Sequence, residues 1–391
     1  MLAGVHFINL VDFVMVMPMG PDFAGGLGIR MSDLGLVGGA YTAAATVVGL
    51  LGTVFLDRFE RRAALTACIA GLGVSTAAGA LATGMASMLA ARAAAGSFGG
   101  LAATLCFSIV TDLTHESRRG RAISVVASGY SLATILGVPA GLELSRRGGW
   151  RAPFVVVGGV ALVLAAAARA VLPRVSAHLE TRETPAPLPL DAGLWASFAA
   201  FGFAIFGNFL IVPNLPAFLE FNLGFPREKL GLLYLFGGAA SLVTMRVAGI
   251  WADRKGSLPP VVTGTILVAL SLGFGVFGSP PALSPILFFT GFLSANAARW
   301  VVINALATRV PSPSTRARFL SAQTAFSHAV TAAASMGSTM FLTSDATGRL
   351  AGMKRLTAAT IAFGLVTPFT VAWLERVAPK RSGGPALPAE F

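Results

Sequence analysis

Three long stretches of this sequence carry no charged residue, and they restrict the possible folds more than any other feature. Residues 63–91, 192–219 and 256–298 contain no Asp, Glu, Lys or Arg. Apolar segments of about 18 residues or more are typical of membrane-spanning helices, because a helix satisfies its own backbone hydrogen bonds inside a bilayer. Composition agrees, since 55% of the 391 residues are hydrophobic and only 12% are charged. The sequence therefore predicts an all-α polytopic membrane protein.

Several function classes are excluded by what the sequence lacks. None of its four lysines precedes Ser or Thr, so there is no phosphate-binding loop of the Walker type. The two cysteines and four histidines are scattered, without the spacing of a metal, haem or disulfide site. The net charge of +12 comes from short basic clusters between apolar runs, which indicates membrane topology rather than nucleic-acid binding. We expect no cofactor, no metal and no enzymatic activity.

Charged or Pro/Gly-rich breaks divide the chain into twelve apolar spans. Each is long enough to cross a hydrocarbon core of about 30 Å at about 1.5 Å per residue. If the N-terminus is cytoplasmic, most of the Lys and Arg residues fall on the cytoplasmic side, so we expect both termini there and an inner-membrane location. The predicted spans are 3–24, 33–56, 63–83, 86–111, 122–144, 152–171, 192–219, 230–252, 259–279, 285–309, 319–343 and 355–375.

A polar segment and an internal repeat divide the spans six and six. DRFERR begins at Asp57 and DRKG at Asp253, an offset of 196 residues, while RGR at Arg119 and RAR at Arg316 are offset by 197. Two parallel six-helix repeats with a site between them are typical of secondary transporters. The predicted organisation is an N-terminal six-helix bundle at 1–172, a charged and Pro-rich cytoplasmic linker at 173–191, a C-terminal bundle at 192–376 and a cytoplasmic tail at 377–391.

The two repeated loops resemble a motif of the major facilitator superfamily. GIWADRKG at 249–256 is similar to its G-x-x-x-D-R-x-G loop, and TVFLDRFERR at 53–62 is the first-half copy, with Thr53 and Glu60 at the glycine positions. Because both loops lie at the same predicted membrane face, their charged residues are candidates for a gate that latches and releases as the halves rock. The alternative is that they only fix membrane topology. The candidate gating residues in these loops are Asp57, Arg58, Arg61, Arg62, Asp253 and Arg254.

Two further motifs strengthen the resemblance. RAAAGSFGG, which starts at Arg92, is similar to the superfamily's intramembrane Arg-x-x-x-Gly motif. GVPAG, which starts at Gly137 and is followed by GGWRAPF, is similar to arabinose-efflux-permease-like members of the drug:proton antiporter group, with Val138 between Gly137 and Pro139. The resemblance covers essentially the whole chain and implies alternating access and export. It also implies a gating role for Gly137 and Pro139.

Asp12 lies about halfway along the first predicted span. A charged Asp at the bilayer centre costs roughly 2.5–3.5 kcal/mol, so such a residue is expected to have a partner or a wet cavity and to be functional. A carboxyl that alternates between charged and neutral forms can carry a proton, whereas the alternative role is structural. Arg92 is the candidate partner, although the two residues differ in predicted depth by about 8 Å. Asp22 is the competing candidate partner of Arg92. The alternative role of Arg92 is an anchor whose side chain extends to the membrane surface.

A sparse polar set in the second half supplies candidate cargo contacts. Asn208, Asn296 and Arg299 lie near the middle of their spans, where a transporter site is expected. Each of these side chains is equally well explained as interhelical packing. Phe13, one of many Phe and Met residues, is a candidate wall of a permissive apolar pocket.

The leading interpretation is a proton-coupled efflux transporter for small apolar or amphipathic molecules, with protons and lipid as its other partners and a monomeric state. In this interpretation Asp12, with Arg92, carries the proton. One alternative is an organic-anion transporter, for uptake or export, that uses the intramembrane residues Arg92, Arg246 and Arg299. Another is a receptor on the same fold that transports nothing and therefore tolerates the loss of Asp12.

Overall fold

The computed structural model describes residues 1–176, 179, 190–278, 284–312 and 315–379. Within these ranges the description does not extend to the side chains of residues 53, 54, 57, 116, 117, 119, 120, 316 and 317. Most of the predicted linker and tail, at 173–191 and 377–391, lies outside the described residues. We refer to residues 1–176 as the N-terminal half and to residues 190–379 as the C-terminal half.

Almost all regular structure in the described residues is helical. The N-terminal half contains α1 (Leu2–Met15), α2 (Gly20–Leu27), α3 (Leu34–Phe55), α4 (Arg61–Gly79), α5 (Met85–Leu113), α6 (Glu116–Ala127), α7 (Gly129–Leu132), α8 (Val138–Gly148) and α9 (Arg151–Val171). The C-terminal half contains α10 (Ala192–Ile211), α11 (Leu215–Ala217), α12 (Leu230–Lys255), α13 (Leu258–Leu272), α14 (Pro285–Ala307), α15 (Arg316–Gly337) and α16 (Met353–Val377).

Short turns and one small hairpin connect or extend these helices. The 3₁₀ turns are Met31–Asp33, Leu56–Arg58, Val212–Asn214, Arg227–Lys229 and Ser338–Met340, and the π-helical turns are Ala133–Gly137, Phe218–Asn222 and Gly273–Phe277. Strands β1 (Thr343–Ser344) and β2 (Leu350–Ala351) pair antiparallel, with Thr343 opposite Ala351.

Ten helical segments among the described residues are long and apolar enough to cross a membrane, and the bent pair α1–α2 adds an eleventh if it forms one span. The predicted span 3–24 is therefore not one straight helix, because α1 and α2 meet at 59°. Pro18 lies at the break and Pro21 in the first turn of α2, and proline removes a backbone donor that a continuous helix needs. Helix α15 overlaps the predicted span 319–343 but is not among the eleven, since Gln323 and His328 lower its hydropathy.

The two halves meet where small residues allow helices to approach closely. A β-carbon on Gly35 of α3 would lie 2.1 Å from the carbonyl oxygen of Ser335 in α15, so only glycine fits there. One turn later, a β-carbon on Gly39 would lie 2.5 Å from the side chain of Met336. Close approach through small residues is a common way for helices to pack in membranes. These contacts join α3 to α15 across the boundary between the halves.

Asp22 and Asp57 mark the two opposite ends of the helical bundle. Asp22 in α2 lies at one end, where its carboxylate accepts hydrogen bonds from Arg227, and Arg227 immediately precedes α12. Helices α3 and α12 both start at this Asp22 end and run away from it. The loops that contain Asp57 and Asp253 therefore lie together at the opposite end, which we call the Asp57 end.

Candidate functional site

Asp12 and Arg92 form a buried ion pair inside the N-terminal half. Asp12 is 0% exposed and Arg92 is 1% exposed. One terminal nitrogen of Arg92, Nη1, lies 3.0 Å from Oδ1 and 3.1 Å from Oδ2 of Asp12. The other, Nη2, donates to the backbone carbonyl of Asp12 at 3.3 Å. Breaking such a pair by removing one partner costs about 3–5 kcal/mol, because the other charge is left buried and alone.

Two other helices hold this pair in place. Thr76 of α4 donates its hydroxyl to Oδ1 of Asp12 at 2.9 Å. The ring of Tyr41 in α3 lies 4.7 Å from the guanidinium carbon of Arg92, a cation–π contact. The Tyr41 hydroxyl donates to Asn9 at 3.0 Å, and Asn9 donates to the carbonyl of Gly99 at 3.1 Å. These supporting residues were not identified from the sequence, where a lone Thr or Asn in an apolar run carries little signal.

The bend between α1 and α2 explains why Asp12 and Arg92 meet despite their different predicted depths. The estimate of about 8 Å counts residues along one straight first span. The α-helix in fact ends at Met15, one turn after Asp12, and the chain then turns by 59°. Asp12 is therefore close to a break in the helix, and counting along a straight helix does not give its depth. Asp22, the competing partner for Arg92, pairs with Arg227 instead.

Aromatic rings extend from the ion pair to the other half. The ring of Phe13, next to Asp12 in sequence, lies 5.3 Å from Tyr41 and 6.3 Å from Phe209 of α10. Tyr41 in turn contacts Arg92. Phe13 therefore connects the C-terminal half, through Tyr41, with the guanidinium that neutralises Asp12.

Gly137 and Pro139 lie between α1, which carries Asp12, and the C-terminal half. A β-carbon on Gly137 would lie 2.4 Å from the side chain of Val11, so glycine lets α1 pack against this turn. Pro139 lies against Gly231 of α12, whose β-carbon position is 3.7 Å away. The two residues of the antiporter-like motif therefore contact the residue before Asp12 on one side and the C-terminal half on the other.

Arg299 is a buried arginine of the C-terminal half, and its described partners are uncharged. It is 2% exposed, and its Nη2 donates to Asn296 Oδ1 at 2.9 Å. Its Nη1 approaches the hydroxyl oxygen of Thr265 at 3.5 Å, and its Nε has no hydrogen-bond partner among the described residues. The offset of 196 that relates Asp57 to Asp253 takes Asp12 to Asn208, an amide whose buried Oδ1 also lacks a described partner.

A second ion pair links the two halves at the Asp22 end. Asp22 accepts hydrogen bonds from both Nε and Nη2 of Arg227, the former at 2.7 Å, and Ser145 donates to the same carboxylate at 2.7 Å. Glu220 lies 3.9 Å from Arg227, so one guanidinium serves two carboxylates. The sequence did not indicate this link, because its partners are 205 residues apart and the apolar runs contain no signal for their pairing.

At the Asp57 end, the predicted gate residues of the first loop bind within the N-terminal half. Arg61 forms an ion pair with Asp112 near the end of α5, and Arg62 donates to the carbonyl of Leu172 at 3.1 Å. Arg58, Asp253 and Arg254 are exposed. The side chain of Asp57 lies outside the described residues.

Glu60 holds this end of the N-terminal half together, although it occupies a glycine position of the family motif. Its carboxylate accepts hydrogen bonds from the backbone N–H groups of Arg62 and Ala63, which caps α4, and from Val175 at 2.8 Å. Burial raises the pKa of Glu60, but the Val175, Arg62 and Ala63 hydrogen bonds and the Arg62 charge lower the pKa below its usual value. In the C-terminal half Glu375 accepts from the Ser257 N–H at 2.8 Å.

Among the described residues, no three or more His, Cys, Asp or Glu side chains are placed to hold a metal ion. Apolar helices of membrane-spanning length, two halves with a close contact at one end, and a buried carboxylate–guanidinium pair in one half together describe a multi-pass membrane transporter. The profile of the Major Facilitator Superfamily matches residues 2–336, and the chain belongs to that family. It is accordingly a secondary transporter and not an enzyme.

The relatives of the chain include proteins named for chloramphenicol resistance or chloramphenicol efflux. It is 30% identical over 288 residues to a chloramphenicol resistance protein of Streptomyces lividans, covering 70% of this chain and 71% of that protein. A chloramphenicol efflux pump of Mycobacterium tuberculosis is 30% identical over 287 residues, covering 70% of this chain and 68% of the pump. The solved structure of a D-xylose–proton symporter has a TM-score of 0.76 at 16% identity and covers 98% of both chains, which shows the shared fold.

Proposed function

We propose that the chain is a proton-coupled efflux antiporter of an inner membrane that exports small apolar or amphipathic molecules. The observation that carries this proposal is the Asp12–Arg92 pair, which is buried and built by four helices. Intramembrane carboxylates are costly and are a common part of proton relays. The name of the Mycobacterium efflux pump supports export as the direction.

In this mechanism Asp12 alternates between two charge states. When ionised, its carboxylate holds Nη1 of Arg92 through both oxygens. A proton that enters from one side of the membrane binds a carboxylate oxygen and removes the charge that neutralises Arg92. The guanidinium then keeps the Tyr41 face and the Asp12 carbonyl as partners, so its position shifts. Release of the proton to the opposite side restores the pair.

Phe13 provides the route by which cargo and proton affect each other. Cargo that displaces Phe13 from Phe209 also disturbs Tyr41, which contacts Arg92. Phe13 and Asn208 are the proposed direct cargo contacts. Arg299 is buried and donates to the partly exposed Asn296, and we propose that these two residues act on the cargo indirectly.

The alternating-access cycle uses different contacts at the two ends. We propose twelve spans, with α15 as the twelfth, a six-plus-six division, a monomer, and the Asp57 end with both termini in the cytoplasm. The Asp22–Arg227 pair and the Gly35–Ser335 contact then hold the outer side closed, which makes this an inward-facing arrangement. Gate formation during opening to the outside is assigned to Gly137, Pro139 and the loop residues Asp57, Arg58, Arg61, Arg62, Asp253 and Arg254.

The test is flux in proteoliposomes with an imposed pH gradient, with chloramphenicol and a chemically diverse panel as probes. Asp12→Asn is expected to abolish pH-driven accumulation, but it also leaves Arg92 unpaired and weakens the fold. The double variant Asp12→Asn/Arg92→Gln removes both charges and is expected to regain thermal stability while remaining uncoupled. Thr104→Val, which removes a hydroxyl of α5 that donates to the carbonyl of Gly100, is the control and should retain coupling. Concentrative, pH-driven transport by the stable double variant would refute the assignment of the proton to Asp12.

A further inference from the structure

The buried guanidinium of Arg299 has more donors than partners. Arginine carries five N–H donors, and the contacts of Arg299 with Thr265 and Asn296 account for two of them. Thr265 receives one of these bonds on its oxygen, so its own hydroxyl hydrogen is available. No acidic side chain of the described residues lies within ion-pair distance of Arg299.

The helix opposite Arg299 adds hydroxyl groups that also lack partners. Gly364 of α16 lies against the guanidinium, since its β-carbon position is 3.5 Å from Nη1. Thr360 and Thr367, one turn to either side on the same face of α16, are 2% and 0% exposed. The hydroxyl oxygens of both threonines have no described hydrogen-bond partner. We call Arg299, Thr265, Asn296, Thr360 and Thr367 the Arg299 cluster.

A full positive charge in such surroundings needs compensation. Burying an isolated ion costs far more than burying a polar group, and a charge that remains buried is normally paired. Amide and hydroxyl oxygens satisfy hydrogen bonds but do not neutralise a guanidinium. The N-terminal half solves the problem with Asp12, whereas the cluster contains donors of hydrogen bonds and no carboxylate.

We propose that the Arg299 cluster binds a small monovalent anion of about the size of chloride. The low exposure of Arg299 favours a small ion over the acidic group of a bulky molecule. The guanidinium and hydroxyl donors of the cluster belong to α13, α14 and α16, so an anion bound by the cluster would tie these three helices together. The inference does not depend on proton coupling, because it concerns charge compensation within the C-terminal half.

The experiment compares thermal unfolding of the purified full-length chain in sodium chloride and in sodium gluconate at equal ionic strength and pH. Ligands that bind only the folded state raise Tm in a saturable way, and we expect chloride to raise it by about 3 °C. Arg246→Met, which removes an exposed arginine in α12, is the matched control and should keep the full shift. Thr265→Val should reduce the shift.

Asn296→Asp gives the sharper test, since it places a carboxylate where an oxygen already lies 2.9 Å from Nη2. This variant should be as stable in gluconate as the wild type is in chloride, and should no longer respond to chloride. Asn304→Asp on the same helix is its control, because Asn304 and Asn296 make the same hydrogen bond to the carbonyl four residues earlier. Equal Tm of the wild type in chloride and gluconate, or stabilisation by acetate but not chloride, would overturn the proposal.

Discussion

The two halves of the molecule bury an arginine in different electrostatic surroundings. In the N-terminal half Arg92 is neutralised by Asp12, a group that can gain and lose a proton. In the C-terminal half Arg299 is surrounded by an amide and hydroxyl groups that do not titrate, and the position equivalent to Asp12 is Asn208. Under the proposed function, the N-terminal repeat switches the charge state of its buried pair, and the C-terminal repeat keeps its own charge state.

The largest expected effect comes from removing each arginine in turn. Arg92→Gln leaves Asp12 buried without its ionic partner and should lower the free energy of unfolding by about 3–5 kcal/mol. Arg299→Gln leaves no carboxylate buried without a partner, so it should lower the free energy of unfolding by about 1 kcal/mol or less in gluconate. Denaturant or thermal unfolding in detergent measures both. Similar losses for the two variants would remove the electrostatic distinction between the halves.

A smaller effect is expected from the loops at the Asp57 end. Asp57→Asn and Asp253→Asn should each slow transport about tenfold, which corresponds to about 1.4 kcal/mol in activation free energy, while thermal stability stays close to wild type. Asp253 should matter at least as much, since its loop keeps both motif glycines. Initial flux rates give the comparison, with Asp345→Asn in an exposed turn as control. Wild-type flux in both loop variants would reduce these residues to topology markers.

Opening at the Asp22 end should respond to loss of the pair between the halves. Arg227→Gln removes the partner of Asp22 and Glu220. Because the pair is partly exposed, its loss should destabilise the arrangement closed at this end by about 1 kcal/mol. That energy corresponds to about a fivefold rise in the population open at this end. Spin-label distances between α2 and the start of α12 report the population. Arg146→Gln, which removes an exposed arginine that pairs within α8, should leave it unchanged.

The smallest effect concerns the two glutamates at the Asp57 end. Glu60→Gln should lower stability by about 0.5–1 kcal/mol at pH 7, because the caps on α4 lose an ionised acceptor. The pKa of Glu60 is lowered in the fold, so its contribution is complete above the usual Glu pKa of about 4.3 and is lost as pH falls through the lower folded value. The Tm difference from wild type should therefore shrink below about pH 4. Glu375→Gln, with one backbone bond, should cost less.

The membrane-spanning character of the fold follows from the sequence, and the irregular parts do not. Long uncharged runs predict helices directly, and ten candidate spans match this expectation. Helix α15 packs against α3 and α10 but is not apolar enough to be recognised as a span by hydropathy. Its proposed role as the twelfth span therefore rests on the internal repeat. The 59° break after Met15 had a local signal in Pro18 and Pro21, but the direction of the bend depends on packing between helices.

For the candidate site, scarcity of charge was the informative signal. Asp12 and Arg92 stood out because charged residues are rare inside apolar spans, and the structure brings them into contact. Partners that are common residue types, such as Thr76 and Tyr41, have no such signal. The Asp22–Arg227 pair requires knowledge of how the halves dock, which residue spacing along the chain does not contain.

The glycine contacts between α3 and α15 also have a mechanical consequence. They lie near one end of α3, so this seam can act as a fulcrum, with the rest of the helix as a lever arm of about 24 Å from Gly39 to Phe55. A rigid rotation of about 15° about the seam would move the far tip by about 6 Å. The stroke of the transporter would then be set by the position of two glycines rather than by the size of the molecule it carries.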